Sequence, residues 1–337
     1  MTRCSVEIIR DVEQLAALVP QWRDLWRRSE IATPFQSPDW LLPWWDVFAP
    51  GELRCVAVRS GERLVALAPL YQQTGIYGSR LVPLGVSLSD YLDILIDPAH
   101  PDSANELAAA VAEMDDIDAI EWGEAQACAD VFDVPLPQGW EAMRTTATPC
   151  PVVALPNNPE ELRNIISPSR WRHLRTAANR AARSGGAVII RGDSDNAGAL
   201  LSELVRLHTA SCPKRGGNVF SDPRVAEFHA AALPRLVREN LVRIYALSIG
   251  GRIVGVYYGF HHRGSAYAYQ CGYNPSFAFQ SPGMLLIAHA MEQAIHEHAQ
   301  EFDFLRGNES YKYEWGATDR LNVCYTLLRR QRARAHG

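Results

Sequence analysis

Lysine is nearly missing from this chain. Of its 33 basic residues only Lys214 and Lys312 are lysines, and arginine supplies the rest. Such a bias reads as the signature of a GC-rich genome, and it makes a retained lysine worth asking about. Cysteine is sparse too: seven residues, an odd number, with no C-x-x-C pair. This argues against a zinc knuckle or a disulfide framework and suits a reducing, cytoplasmic setting. No segment approaches the roughly 20 apolar residues that cross a bilayer, so no membrane span is expected. The opening residues lack the apolar core and cleavage site of a secretory signal. There is no G-x-S-x-G elbow, no G-K-[ST] phosphate loop and no Rossmann fingerprint, which sets aside several common enzyme classes. Glu292 and His296 stand four apart on a helix without a third ligand, so no metal is expected.

The 337 residues, 47% apolar and 21% charged, suffice for two globular domains. Net charge is −5, unevenly spread. Residues 1–150 hold 23 acids against 10 arginines, a net of −13; the remainder holds 15 acids against 23 bases, a net of +8. The basic half reads either as the seat of an anionic ligand or as solvated surface.

Along the chain, residues 11–30 read as helix broken at Pro20, and a short aromatic helix follows from Pro38. Residues 52–73 read as a hairpin turning at Ser60–Arg63, followed by a strand in "LSDYLDILIDP", a helix from Ser103 and a strand near 118–125. The proline-rich "TPCPVVALPNNPEEL" is the expected linker, separating domains 1–148 and 149–337. Helices, three hairpin-linked strands, a helix and a short strand "FDFLRG" then follow. The repeated order suggests a fold-level duplication, and the alternation implies α/β architecture with mixed sheets.

Three constellations carry chemistry. At Gln280-Ser-Pro-Gly283 a strand gives way to a helix: Ser281 is placed to cap it, Pro282 to fill its first position, and Gly283 to admit a ligand to the backbone. Free N–H groups there suit a phosphate, or the motif is simply a well-capped helix. From Arg163 to Arg183 no acid interrupts six arginines, a face suited to phosphates or merely solvated. In "FDFLRGNESYKYEWG", Asp303, Arg306, Glu309 and Lys312 interleave with Tyr311, Tyr313 and Trp315, the composition of a partly buried polar site or of a salt-bridged loop.

Together "FQSPDWL", "LAPLY", "SDYLDILID", "RLHTAS…RGG", "AYAYQCGYNP…SPGMLL" and "FDFLRGNESYKYEW" carry a resemblance. The chain is similar to tandem-domain acyltransferases of the GNAT superfamily, in the group related to CelD-like cellulose and exopolysaccharide biosynthesis proteins. Fem-type peptidoglycan aminoacyltransferases are more distant kin. The resemblance implies two GNAT-like domains with splayed central strands, the second holding acetyl-CoA or another acyl-CoA as co-substrate. The superfamily's Q/R-x-x-G-x-G/A loop aligns with Gln280, Ser281 and Gly283, departing at Leu285. The Y/F-K-x-x-W/F-G pattern aligns with Tyr311, Lys312, Trp315 and Gly316, and implies that Lys312 belongs to the active site. An oxyanion would be held by backbone N–H groups at a bulge near Cys271, Gly272 and Tyr273.

The expected roles follow. Lys312 stabilises negative charge, Tyr311 protonates the leaving thiolate, and Asp303 positions Arg306 or Lys312. Asp90, Glu309 and His208 are candidates for the general base. The expected acceptor is a small-molecule or saccharide amine, such as an amino sugar of a cell-surface polysaccharide. Two rivals stand beside this reading: a Fem-like enzyme drawing aminoacyl groups from tRNA, and a silent GNAT-fold binding module.

Overall fold

The computed structural model describes residues 4–76, 78–211 and 218–330. Lys214 and the Arg-Gly-Gly stretch after it lie outside these. The chain forms two compact units, one made of residues up to Thr148 with the stretch from Leu321, the other of Pro149–Arg320.

In the first unit, Cys4–Ile9, Cys55–Ser60, Arg63–Ala68 and Leu95–Ile96 make an antiparallel sheet. A second group joins Leu70–Gly75 to Gly78–Pro83, which lies parallel to Ala119–Gln126. Helix Ser103–Ala112 buries Leu107, Ala108 and Val111 against a core that includes Val56, Val65, Leu81 and Trp122. The stretch from Leu321 was expected in the second domain. Instead Asn322–Leu328 pairs antiparallel with Ala119–Gln126, a long-range ladder invisible to reading along the chain.

Other expectations shift similarly. The proline-rich "linker" is strand over its first half, since Trp140–Ala154 runs through Pro149 and Pro151. A residue before proline favours extended backbone, which a strand can use. Helix breakage near Pro20 occurs at Leu18, and Pro20 opens the helix Val19–Arg28. Of "LSDYLDILIDP" only Leu95–Ile96 is strand. The carboxylate of Asp93 holds the rest as loop by accepting from the backbone N–H groups of Ile94, Asp130 and Val131.

The second unit runs α1 (Pro168–Arg183), β1 (Ala187–Arg191), α2 (Ala197–Ser211), α3 (Pro223–Arg238), β2 (Val242–Ile249), β3 (Arg252–His262), β4 (Ser265–Tyr273), α4 (Pro282–His296) and β5 (Glu301–Asp303). β2 to β4 form an antiparallel meander, and β1 pairs antiparallel with β2 although α2 and α3 lie between them in the chain. Between β2 and β3, Gly250 and Gly251 take φ of 57° and 76°, as a two-residue type I′ hairpin turn demands. β5 joins β4 in parallel, and its other edge pairs antiparallel with Val152–Ala154.

β4 and β5 pair over only three positions, Ser265–Tyr267 with Glu301–Asp303. β4 continues for six more residues, whereas β5 stops at Asp303, and Leu305 takes a left-handed φ of 57°. The two central strands therefore part.

Candidate active site

A pocket of about 380 Å³ opens beside the part of β4 that lies beyond its pairing with β5. Cys271 and Tyr273 of β4 form one wall, and Ala278, Ser281, Gly283 and Met284 the loop and first turn of α4. Tyr311, Trp315 and Arg170 complete it.

The pleat of β4 explains which side chains face in. Gly255 of β3 pairs with Tyr273, and a Cβ at Gly255 would lie 3.0 Å from Leu286 of α4. Tyr273 and Cys271 share that face, because alternate residues point the same way. Gly272 points to the opposite face, where α2 packs so closely that a Cβ would sit 2.6 Å from the backbone nitrogen of His208. Gly272 thus serves helix approach and does not line the pocket.

The bulge lies earlier than expected. Tyr258 pairs with Gln270 and Gly259 with Ala268, leaving Tyr269 as the extra residue, while Cys271–Tyr273 pair regularly with β3. An added residue reverses alternation, so Tyr269 and Gln270 both reach the α2–α3 side. There the Tyr269 ring meets His229 edge-on, and Gln270 bonds His208.

The turn into α4 is also built differently. Ser281 has φ 51° and gives its helix no side-chain cap; its hydroxyl donates to Ala278 O. Its carbonyl accepts from the N–H groups of Met284 and Leu285. A Cβ on Gly283 would lie 3.8 Å from both Cys271 Sγ and the Tyr273 ring, so the missing side chain keeps the pocket open at that point. Gln280 does not line the pocket. Its amide donates to the Ser184 hydroxyl at 3.1 Å and ties the loop to α1.

Lys312 is 3% exposed, and its ammonium donates to the carbonyls of Leu305, Arg306 and Gly307 at 3.2, 2.8 and 3.1 Å. Glu309 approaches it at 3.0 Å. These four acceptors exceed its three N–H bonds, so this side chain clamps the loop that ends β5 and has no donor left for an oxyanion. Glu309, itself mostly exposed, is the clamp's counter-charge. Asp303 is fully buried. It accepts from Leu305 N at 2.7 Å and lies 3.5 Å from Arg320, securing the same loop from below.

The remaining candidates fall elsewhere. Asp90 belongs to the first unit, where its backbone carbonyl accepts from Asn322. His208, on α2, sits on the far face of β4 from the pocket. Burial lowers its pKa, with hydrogen bonds to Asn218 and Gln270 acting against that, so the ring is neutral at pH 7 and chemically able to accept a proton. Cys271 is no nucleophile, since burial pushes its thiol up to about 12.

Arg170 was not singled out from the sequence. It pairs with Glu314, approaches Met284 Sδ at 3.2 Å and lies 5.4 Å from the Trp315 ring centroid. One guanidinium thereby joins α1, α4 and the Tyr311–Trp315 segment around the pocket. The acid-free run from Glu161 to Asp193 marked its helix, but only packing tells Arg170 from its neighbours. Among the described residues no group of three or more His, Cys, Asp or Glu is placed to hold a metal, and no helix is long and apolar enough to cross a membrane.

Residues 168–313 match the family model described as "Acetyltransferase (GNAT) domain". That span lies within the second unit and includes the pocket from Arg170 to Tyr311. No curated protein matches the chain by sequence. Among solved structures, the chain is similar to FemX (TM-score 0.68, 11% identity, covering 91% of this chain and 95% of that one). It is also similar to L-PGS from Bacillus licheniformis (TM-score 0.56, 13% identity, 96% and 93%). A third similar structure is a conserved protein of unknown function from Bacteroides thetaiotaomicron (TM-score 0.58, 12% identity, 96% and 100%). At such identities these likenesses speak to fold. The fold is the mixed α/β arrangement shared with these structures, and the second unit contains the span that matches the GNAT acetyltransferase domain.

Proposed function

We propose that this enzyme is an acyl-CoA-dependent N-acyltransferase that moves a short acyl group, acetyl in the simplest case, to an amine such as an amino sugar. The observation that carries this reading is the parting of β4 from β5 after three paired residues, with a pocket of about 380 Å³ against the unpaired end of β4. A thioester arm needs a slot between strands and a helix start for its phosphates, and the Gly283 turn supplies the latter. Cytoplasmic location and a place in cell-surface polysaccharide assembly belong to the same proposal.

In this mechanism the acceptor nitrogen attacks the thioester carbonyl carbon, the carbonyl electrons move to oxygen, and collapse expels the thiolate. Backbone N–H groups at the Tyr269 bulge are the proposed oxyanion donors. The hydroxyl of Tyr311, on the pocket wall, returns a proton to the thiolate. His208 is the proposed base, reached only through a water chain, since it lies on the α2–α3 side of β4. Lys312, Glu309 and Asp303 act by holding the loop on which Tyr311 sits. Asp90, a residue of the first unit, is given no role in this proposal.

A second reading, aminoacyl transfer from tRNA, is favoured by the whole-chain fold similarity to FemX and by the arginine-rich α1. Thermal-shift titration separates the two. A rise in Tm with acetyl-CoA supports the coenzyme; salt-sensitive binding of charged tRNA without that rise supports the rival. Silence toward both would leave a fold without this chemistry.

A further inference from the structure

Beside the pocket, one aromatic ring is left uncovered. Phe279 is 65% exposed, although it directly follows Ala278 of the pocket wall and precedes the Gln280–Gly283 turn. Its ring is not loose. The Arg180 guanidinium lies over it, 3.9 Å from the centroid, and Arg180 Nη1 donates to Phe279 O at 3.2 Å. The next residue is tied back as well, through Gln280 to Ser184. Exposing a rigid phenyl ring to water is unfavourable unless something covers it in the working state. Elsewhere on α1 Arg172, Arg175 and Arg183 are exposed, and no acid occurs between Glu161 and Asp193.

We propose that Phe279 and Arg180 form a stacking platform for the adenine base of the nucleotide that occupies this site. The assignment rests on the acyl-CoA reading above. A flat heteroaromatic base has a π-face that stacks on a phenyl ring or a guanidinium without needing base-specific hydrogen bonds. Position adds a second reason. A ligand whose phosphates lie at the Gly283 turn has its nucleoside within a few residues' reach of Phe279, and the arm bearing the acyl group runs the other way, into the pocket. The same adenosine chemistry terminates a tRNA, so the platform alone does not choose the donor.

Binding of three probes to wild type, Phe279→Ala and Phe279→Trp, followed by calorimetry, decides the matter. The probes are CoA, 4′-phosphopantetheine (which lacks the nucleoside) and a short RNA hairpin ending in CCA. The expected result is a loss of about tenfold in CoA affinity for Phe279→Ala, the scale of one base–aromatic stack. Phosphopantetheine binding should be unchanged, which also verifies folding, and Phe279→Trp should restore CoA affinity. Equal CoA affinity in wild type and Phe279→Ala overturns the platform while leaving the acyl-CoA reading intact. If wild type binds only the hairpin, and Phe279→Ala loses it, the platform stands and the coenzyme reading falls. If none of the three probes binds wild type, both fall.

Discussion

The clearest reassignment at the residue scale concerns Lys312. An ammonium buried among three carbonyls and a carboxylate is costly to remove, because the acceptors left behind lose their donor. Lys312→Ala is therefore expected to lower stability by about 2–4 kcal/mol in denaturant titrations, rather than to abolish transfer with the fold intact. Arginine will not rescue it, since a planar fork cannot reproduce the compact cage. Cys271 invites a simpler check. Its thiol, pushed up to about 12, should resist a thiol reagent at pH 8 in the folded protein, whereas exposed Cys128 reacts first. Rapid labelling of Cys271 at that pH would show a more open pocket wall than described.

At the scale of elements, two glycines on either side of β4 answer to different constraints. Gly272 lets α2 touch β4, and a Cβ there collides with helix backbone at 2.6 Å. Gly272→Ala should lower stability by about 1–3 kcal/mol as the helix is pushed off the sheet. Gly283 meets only ordinary van der Waals distances, so Gly283→Ala should fold normally and even gain slightly from helix propensity. It should still weaken coenzyme binding severalfold, because the new methyl stands between Cys271 and Tyr273. Tm and coenzyme affinity moving in opposite directions would be the signature; a parallel fall in both would mean that the turn into α4 is distorted.

At the scale of the whole molecule, global stability should depend on pH through the first unit. Burial, together with the charge of Asp130, raises Asp93 well above the carboxylate range, and burial foremost, with the charge of Asp133 adding to it, raises Asp130 from 3.8 to about 6. A folded-state pKa above the unfolded one means that the native protein binds the extra proton. That contribution is complete below pH 3.8 and disappears as pH climbs through about 6. Unfolding free energy is thus expected to lose this part between pH 4 and 6. Asp130→Asn should flatten that slope when the unfolding free energy is measured across it. An unchanged slope would place the coupled protons elsewhere.

Much of this protein was determined by local sequence. The β2–β3–β4 meander follows from alternating apolar residues and from Gly250-Gly251; α4 follows from its apolar stripe behind Pro282; and the position of the pocket follows from the strand–turn–helix at Gln280–Gly283. Periodicity and turn chemistry act over a few residues, so they are written where they operate. Only the tertiary structure decided that Leu321–Arg329 joins the first unit, that Tyr269 is the bulge, and that Lys312 is a clamp. It also decided that Arg170 reaches the pocket. Each of these depends on which distant backbone comes within hydrogen-bonding range, and that is settled by long-range pairing and close packing, not by neighbours along the chain.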